Sequence, residues 1–312
     1  MEIEQIFMGV EAPHSLGEGG DDQPKNTNWL ETDGVYSSVK TSKIVDKLKP
    51  GMYTVFQDSN GGLHAQEIEV ESDELYELPN NKTQSVVSEI EDFWTKADKF
   101  KEAKVKHKRG VLLYGPPGTG KSSTIGLLTN SLIEKGGVVF YITSAPELFW
   151  YIDFAHDHLR QIEPERPVIT VIEDIDKFMD EGSLESSVLN FLDGADSFDH
   201  NVTIATTNRL ASLNDLILRP SRFDRQIEVD VPTLEVRQAF LLKKGLDSDE
   251  AAEWAKDTSG YSIAELKELF ISVKLLDKDY REAKLTLKDQ DSKVSKRTYN
   301  KKSNEIGFKS SR

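Results

Sequence analysis

Residues 111–123 read VLLYGPPGTGKSS, and they are the most informative segment of the sequence for predicting the fold. An apolar run leads into a glycine-rich segment in which Gly115, Gly120, Lys121 and Ser122 fit the pattern G-x-x-x-x-G-K-[ST]. Glycines allow the backbone to curl with its N–H groups pointing inward, and the N-terminus of a following helix adds further donors. The pattern therefore predicts a strand, a phosphate-binding loop and an amphipathic helix, in that order.

The predicted ligand of this loop is a nucleoside triphosphate with a magnesium ion. Lys121 would bring a positive charge to the outer phosphates, and the Ser122 hydroxyl would be a ligand of Mg²⁺. The alternative is a glycine-rich turn before an ordinary helix, and the order of strand, loop and helix argues against it. The residues assigned to nucleotide binding are Gly115, Pro116, Pro117, Gly118, Thr119, Gly120, Lys121, Ser122 and Ser123.

A second apolar run ends abruptly at two carboxylates, in the sequence TVIEDID of residues 170–176. Ligands of an open parallel sheet lie beyond the carboxyl ends of its strands, so Glu173 and Asp174 are expected to face the phosphates. Glu173 is assigned to Mg²⁺, together with Ser122, and Asp174 is assigned to orienting and deprotonating the attacking water. A helix cap or a surface pair is the alternative, and it does not explain the apolar strand directly before the acids.

Short apolar runs alternate with helical stretches through the middle of the chain. This alternation predicts an α/β fold with a parallel sheet covered on both faces. The five predicted strands lie within residues 110–114, 138–142, 168–172, 202–205 and 227–231. Residues 50–70 read as a β-hairpin around the turn DSNGG, and the region after Pro232 reads as helical.

Composition excludes several classes of protein. The 312 residues carry a formal net charge of −15, which opposes a general affinity for nucleic acid, and they contain no cysteine. No apolar run approaches the roughly 20 residues that span a bilayer, and the acidic N-terminus does not read as a signal peptide. These features predict a cytoplasmic protein without a membrane segment.

Several motifs in the expected order resemble those of the AAA ATPases, a family of the AAA+ superfamily, over about residues 85–282. They are GPPGTGKS, ATTNRL with Asn208, LNDLILRPSRFDRQIEVDVP, and GYSIAEL with Gly260 and Ala264. The resemblance implies a P-loop domain with a helical lid that hydrolyses Mg²⁺-bound ATP. It further implies that Asn208 helps to position the attacking water and that Gly260 and Ala264 face the nucleotide.

The order of the two acids departs from most of the family, which has Asp before Glu. Glu173 before Asp174 is similar to the branch that includes the mitochondrial respiratory complex III assembly chaperone, as is the stretch SVLNFLDGADSF. The exchange keeps two carboxylates but lengthens the metal-side acid and shortens the water-side acid by one methylene. ATP hydrolysis is therefore expected to be retained, and the sequence leaves open whether it is slow.

The resemblance also implies that Arg219 and Arg222 reach the nucleotide of an adjacent subunit, so that the active form is a homo-oligomeric ring, predicted to be a hexamer. Arginine suits this task because its planar guanidinium stays charged. Asp176 is assigned to the same interface. The local alternative for the arginines is ion pairing with Asp215, Asp224 or Glu228.

The stretch SAPELFWYIDF is the candidate for a client-binding pore loop, with Trp150 and Tyr151 as the contacts and Phe149 nearby. The alternative is that these aromatic residues are core at helical spacing. Residues 180–187 are the candidate for a second pore loop. Three functions stay open: a remodeller of a protein client, a slowly hydrolysing assembly or structural ring, and, least favoured, a nucleic-acid-linked motor or loader.

The segment boundaries follow from these readings. They are an acidic, disordered arm (1–39), a small β-rich N-terminal domain (40–80), an AAA+ α/β nucleotide-binding domain (81–232), a helical lid (233–283) and a basic, flexible tail (284–312). The first 40 residues hold eight acidic and two basic side chains, whereas residues 284–312 hold nine basic and three acidic ones.

Overall fold

A computed structural model describes residues 27–32, 35–40, 45–69, 82–179, 182–194 and 196–289. The chain divides into two compact units, Met1–Asp46 and Lys47–Arg312. Each unit is described by itself.

The first unit contains an antiparallel hairpin of two strands, β1 (Thr27–Thr32) and β2 (Val35–Lys40). The prediction of a disordered arm over residues 1–39 is therefore wrong for these strands, since Thr27 pairs with Lys40 and Thr32 with Val35. The polar composition that suggested disorder did not reveal this cross-strand pairing. Residues 1–26 of the arm lie outside the described residues.

The second unit is built on a seven-stranded sheet that confirms the predicted α/β class. Its strands are β3 (Gly51–Gln57), β4 (Leu63–Ile68), β5 (Lys108–Tyr114), β6 (Val138–Ile142), β7 (Val168–Ile172), β8 (Asn201–Thr207) and β9 (Arg225–Glu228). The order across the sheet is β4-β3-β6-β7-β8-β5-β9, and every neighbouring pair is parallel except β3 and β4. The carboxyl ends of β5, β7 and β8 consequently meet at one edge, where the site lies.

The hairpin of β3 and β4 is where it was predicted, but it is not a separate domain. Strand β3 pairs in parallel with β6, so the hairpin adds two strands to the main sheet. The buried Tyr53 and Val55 of β3 belong to the same core as Phe140 of β6, which explains why the hairpin packs here. Residues 70–81 of the predicted N-terminal domain lie outside the described part of the chain.

Helices cover both faces of the sheet, as the apolar strands require. They are α1 (Lys82–Trp94), α2 (Ala97–Glu102), α3 (Lys121–Glu134), α4 (Ala145–Phe154), α5 (Arg160–Ile162), α6 (Asp176–Met179) and α7 (Gly182–Asp193), with a π-helical segment at Ala155–Leu159. One core contains Phe140, Tyr151 and Ile172, and the core on the other face contains Val111, Leu128 and Val171.

The C-terminal helices form a third core, which is the body of the predicted lid. They are α8 (Leu234–Lys243), α9 (Ser248–Asp257) and α10 (Ile263–Phe270), followed by a π-helical segment at Ile271–Leu275 and by helical residues 280–289. Ala283 and Leu287 are buried in this core, so the prediction of a flexible tail from residue 284 is wrong as far as residue 289. These two residues are four apart and share one helical face. Residues 290–312 lie outside the described part.

Within the described residues, no helix is both long enough and apolar enough to cross a membrane.

Candidate functional site

The phosphate loop connects β5 to α3, and its glycines have backbone angles that other residues rarely adopt. Gly118 and Gly120 have φ of 75° and 105°. Gly115 must also approach β9 closely, because a Cβ atom there would lie 2.2 Å from the carbonyl oxygen of Val229. The loop conformation therefore depends on glycine at these positions.

Lys121 crosses the loop from the first turn of α3. Its Nζ donates to the carbonyl oxygens of Gly115, at 2.9 Å, and Pro116, at 2.7 Å. Burial lowers the pKa of Lys121 below its ordinary value, while the charges of Asp174 and Glu173 counteract the shift. The ammonium group thus already lies among the loop atoms, close to both acids.

The structure brings together the two residues assigned to the metal. The Ser122 hydroxyl donates to Oε1 of Glu173 over 3.0 Å, although the two residues are 51 positions apart. A third group nearby was missed by the sequence analysis. Tyr141, near the end of β6, is in hydrogen-bonding reach of Glu173, and its pKa is raised mainly by burial and further by this acid. The only signal in the sequence was a hydroxyl near the end of a predicted neighbouring strand.

Asp174 occupies a strained turn directly after β7. Its φ is 49°, a conformation that a non-glycine residue keeps only where its surroundings enforce it. Its N–H donates to Oγ1 of Thr206 over 3.0 Å. Asn208 donates to Oδ1 of its carboxylate over 3.2 Å, and Lys177 donates to Oδ2 over 2.7 Å. The two residues assigned to the attacking water are therefore adjacent, and both carboxylate oxygens have protein partners.

Thr206 and Lys177 were also missed by the sequence analysis. Their signals in the sequence were weak. Thr206 is one of several threonines in and after the predicted strand, and Lys177 is a single lysine three residues after Asp174. Asp176 is buried, accepts a hydrogen bond from Thr207 Oγ1 at 2.8 Å, and pairs with Arg209 at 2.6 Å within its own chain. Its assignment to a subunit interface stays a prediction.

The lid contributes one wall of the site. A cavity of about 590 Å³ lies between the phosphate loop, the acidic pair and α10. The N–H of Ala264 donates to the carbonyl oxygen of Gly118 over 3.1 Å, and a Cβ atom on Gly118 would lie 2.8 Å from the Cβ of Ala264. Gly260 is different: it forms a left-handed turn, with φ of 83°, before the Ser262 cap of α10, and it is not among the residues that line the cavity.

The cavity fits the predicted ligands. Its volume is in the range of about 300–1,000 Å³ that is typical of small-molecule sites. Loop N–H groups, an ammonium and a helix N-terminus suit phosphate, and the Ser122–Glu173 pair offers oxygen ligands to a hard cation. The described residues hold no cluster of three or more metal-ligating side chains, so Mg²⁺ here would depend on these two residues with phosphate oxygens and water.

The two predicted arginine fingers lie on the loop before β9, and the structure places them differently. Arg219 is exposed, and within the described residues no hydrogen bond or ion pair holds its side chain. Arg222 is half-buried and donates from Nη1 to the carbonyl oxygen of Leu216. In this single subunit Arg222 packs against its own chain, and its role as a second finger stays a prediction, as does that of Arg219.

The pore-loop prediction is wrong for Tyr151. Helix α4 continues through this stretch, and Tyr151 is fully buried, with its hydroxyl 2.7 Å from Oγ1 of Thr170. Trp150 is half-buried against the same core, so the alternative interpretation as core residues is confirmed for Tyr151 and Trp150. The cause is the added hairpin, since α4 packs against β3 and β4. Phe149 alone of these three aromatic residues is exposed, at 39%.

Of the second candidate pore loop, residues 182–187 are part of helix α7. Residues 180 and 181 lie outside the described part of the chain.

The strand order and the position of the cavity beyond the strand ends define a P-loop nucleoside triphosphatase domain. Residues 111–231 match the family described as "ATPase family associated with various cellular activities (AAA)". The chain therefore contains an ATPase domain of the AAA family. The predicted enzyme class, an ATP hydrolase of the AAA type, is confirmed for this domain.

The chain is similar to proteins named "ATP-dependent zinc metalloprotease FtsH". It is 33% identical over 213 residues to the one from Lachnoclostridium phytofermentans, which covers 61% of this chain and 36% of the relative. It is 34% identical over 203 residues to FtsH 1 of Sphaerobacter thermophilus, covering 58% and 30%. With the relative from Halothermothrix orenii the identity is 30% over 232 residues, covering 67% and 36%.

The chain spans about a third of the length of these curated relatives. The sequence similarity is to the AAA domains of these relatives. The resemblance to the branch with the complex III assembly chaperone stays a prediction.

Proposed function

We propose that the chain hydrolyses Mg²⁺-bound ATP within a homo-oligomeric ring, a hexamer, and uses the cycle to remodel a protein client. One observation carries the proposal: Lys121, Ser122, Glu173, Asp174 and Asn208 converge on a single cavity that the lid closes on one side. Each of these groups has a distinct role in phosphoryl transfer to water. The expected cytoplasmic location stays a prediction.

The chain's own residues divide the chemistry among them. The loop N–H groups and Lys121 bind the phosphates, and Ser122 and Glu173 hold the cation. Mg²⁺, when bound, neutralises charge that develops on the phosphate oxygens. Asn208 orients the attacking water and Asp174 accepts its proton, since the two side chains are 3.2 Å apart and share this position. Arg219 of a neighbouring subunit would stabilise the charge of the transition state.

A protein client is proposed from the relatives, which are named as ATP-dependent proteases. The client contact assigned to Tyr151 cannot be kept, because that side chain is buried. Phe149, exposed on α4, is the aromatic residue of this stretch that a client could touch. Phe149→Ala is expected to reduce the stimulation of ATPase activity by an unfolded protein and to leave the unstimulated rate unchanged.

A slowly hydrolysing assembly or structural ring is the second candidate, and one observation favours it. Both oxygens of Asp174 already accept a hydrogen bond, from Lys177 and Asn208, so the attacking water must share a carboxylate oxygen with one of these donors. A turnover that stays low with every protein client, together with ATP-dependent ring formation, would support this function over remodelling.

The experiment that tests the proposal combines mass measurement with turnover. The wild type is expected to form a larger assembly with Mg²⁺ and ATP than without them, and to release phosphate. Glu173→Gln and Asp174→Asn should bind ATP and assemble while turnover falls by about 100-fold or more, the usual contribution of a general base or metal ligand. Normal hydrolysis by Asp174→Asn would show that the base is assigned wrongly.

A further inference from the structure

Tyr141 places a hydroxyl beside the metal-side acid. Tyr141 of β6 pairs in parallel register with Val171 of β7, and Glu173 lies two positions beyond Val171. Side chains two positions apart along a strand point to the same face, so Tyr141 and Glu173 share the face of the sheet that α3 covers. This register brings the phenol into hydrogen-bonding contact with the carboxylate.

The rest of the Tyr141 side chain is anchored in the core. It is half-buried and packs against the cluster that contains Leu128, Val139 and Val171. Its strand lies inside the sheet, between β3 and β7. Burial, and next the contact with Glu173, raise the pKa of the phenol above its ordinary value. The hydroxyl therefore keeps its proton at neutral pH and donates a hydrogen bond from a fixed position.

The second hydrogen-bond partner of Glu173 within the described residues is Ser122, whose hydroxyl donates to Oε1 over 3.0 Å. The same hydroxyl is assigned to Mg²⁺, so its oxygen must also serve the cation when the metal is bound. Tyr141 has no such second task, because it is not among the residues that line the cavity. Tyr141 is thus the partner of Glu173 that can stay in place in both states.

The length of the acid at position 173 gives this contact its purpose. A glutamate has one more rotatable bond than an aspartate, so fixing its carboxylate costs more conformational entropy and a further contact is needed to hold it. An aspartate at this position would withdraw the carboxylate by one methylene from the hydroxyl on β6. The order of the two acids in this chain and the tyrosine on the neighbouring strand therefore belong together.

We infer that Tyr141 is a positioning residue for Glu173, and that its hydroxyl holds the longer acid in the orientation in which Glu173 binds Mg²⁺. This inference rests on the proposed function and concerns the metal-bound form of the nucleotide. The binding of metal-free ATP would depend on the phosphate loop and Lys121 instead.

Tyr141→Phe tests the inference, because it removes the hydroxyl oxygen and keeps the ring in the core. Calorimetric titrations with ATP, without and with Mg²⁺, give the factor by which the metal strengthens ATP binding. This factor should be about 10-fold smaller in Tyr141→Phe than in the wild type, the usual cost of losing the partner of a metal ligand. The affinity for metal-free ATP should stay near the wild-type value. An unchanged factor would overturn the inference, since Tyr141 would then only fill the core.

Tyr280→Phe is the matched control. The Tyr280 hydroxyl donates to Oδ2 of Asp257 over 2.9 Å, and neither residue lines the cavity. The variant loses the same kind of hydrogen bond to a carboxylate and should keep the wild-type factor.

Turnover gives a second readout. The Mg²⁺ concentration for half-maximal turnover should rise about 10-fold in Tyr141→Phe, whereas kcat at saturating Mg²⁺ should recover. A purely structural defect would lower kcat at every Mg²⁺ concentration, and that result would overturn the inference.

Glu173→Asp shows whether Tyr141 acts through the acid. The shorter side chain loses the contact with β6, so Tyr141→Phe should cause no further change in this background, since residues that act as a unit are not additive. An equal effect of Tyr141→Phe in both backgrounds would contradict the inference. A wild type that binds Mg²⁺-ATP without any turnover would instead contradict the proposed function, and the calorimetric comparison would still decide the role of Tyr141.

Discussion

Polar residues lie at both ends of the parallel strands in this sheet, but their surroundings differ. At the carboxyl ends, Lys121, Glu173 and Asp174 border an open cavity and pair with groups that a ligand or a water could replace. At the amino ends, His107 is only 3% exposed and is enclosed by protein. Its Nε2 lies 3.0 Å from the carbonyl oxygen of Phe93, and its Nδ1 lies 3.2 Å from Nδ1 of His200.

The polar residues at the carboxyl ends are available to bind a ligand, whereas those at the amino ends stabilise the fold. Buried polar groups are normally satisfied by protein partners, and Asn201, the first residue of β8, follows this rule. Its Oδ1 accepts a hydrogen bond from Oγ1 of Thr170 over 2.9 Å, and its Nδ2 donates to Oγ1 of Thr203 over 3.0 Å. At the carboxyl ends the partners are fewer and more exposed, as a binding site requires. We therefore expect substitutions at the two ends to change different measured quantities.

Lys121→Ala should have the largest effect, and only on binding. We expect the affinity for Mg²⁺-ATP to fall by about 100-fold or more, because the variant loses a charge-assisted contact to the phosphates in a partly dry site. The free energy of unfolding without nucleotide should change by only about 1 kcal/mol, since the ammonium donates to just two loop carbonyls. Calorimetric titration and denaturant unfolding measure the two quantities.

Lys274→Ala is the matched control for this prediction, because Lys274 forms a surface ion pair with Glu250 on the lid core, away from the cavity. It should leave both quantities near the wild-type values. Unchanged ATP affinity in Lys121→Ala would remove the basis of the comparison.

His107→Ala should have the next largest effect, and only on stability. The ring stacks on Phe93 at 4.0 Å between centroids and fills a buried space, so its removal should lower the free energy of unfolding by about 2–4 kcal/mol. The kcat of the folded enzyme should stay within about twofold, since no part of the ring lines the cavity. Chemical denaturation and steady-state kinetics below the transition test both parts.

His64→Ala is the control for the imidazole itself. His64 is also hydrogen-bonded, to Asp58 at 2.9 Å, but its side chain is 50% exposed. Its loss should cost less than about 1 kcal/mol. If both histidine variants had the same stability, the amino ends would not be the stabilising end of the sheet.

The sequence predicted the site better than it predicted what surrounds it. The phosphate loop and the acids of β7 depend on local patterns, an apolar strand followed by glycines or by carboxylates, and these patterns are short-range. The bounds of β6 and β7 agree with the predicted runs for the same reason. The ion pair between Asp174 and Lys177 could have been predicted because the two residues are three positions apart, although a single lysine at that spacing is a weak signal.

Two of the failed predictions depend on long-range packing. Tyr151 was assigned to a loop, but α4 is buried by a hairpin that lies about 90 residues earlier in the chain. That hairpin was placed in a separate domain because nothing in its own residues indicates the pairing of β3 with β6. Likewise, His107 and His200 are 93 positions apart, and no periodicity connects them.

The pH dependence of the free energy of unfolding tests the role of the amino ends with a smaller expected effect. Burial lowers the pKa of both His107 and His200 below the ordinary value, and for His200 the charges of His107 and Arg160 lower it further. The unfolded chain then binds more protons than the folded chain near pH 6, so this stabilisation is present above about pH 6.5 and is lost as the pH falls through the folded pKa. Stability at pH 5.5 should therefore be lower than at pH 7.5.

His107→Gln is the variant for this measurement, because glutamine can still donate to the Phe93 carbonyl but cannot take up a proton. The difference in unfolding free energy between the two pH values should be smaller in this variant than in the wild type. An equal difference in both proteins would mean that carboxylates alone set the pH dependence.

The smallest expected effect concerns Lys177, the most exposed partner at the carboxyl ends. Its ion pair with Asp174 is 2.7 Å long, but the lysine side chain is 68% exposed, and exposed pairs contribute little because water screens them. Lys177→Met should therefore raise kcat by no more than about fivefold, because Oδ2 of Asp174 becomes available to the attacking water without a competing cation. The KM for ATP should stay constant, as Lys177 does not line the cavity. A decrease in kcat would instead mean that Lys177 positions Asp174 for catalysis. The ion pair would then be a fixed part of the structure, like the hydrogen bonds at the amino ends of the strands.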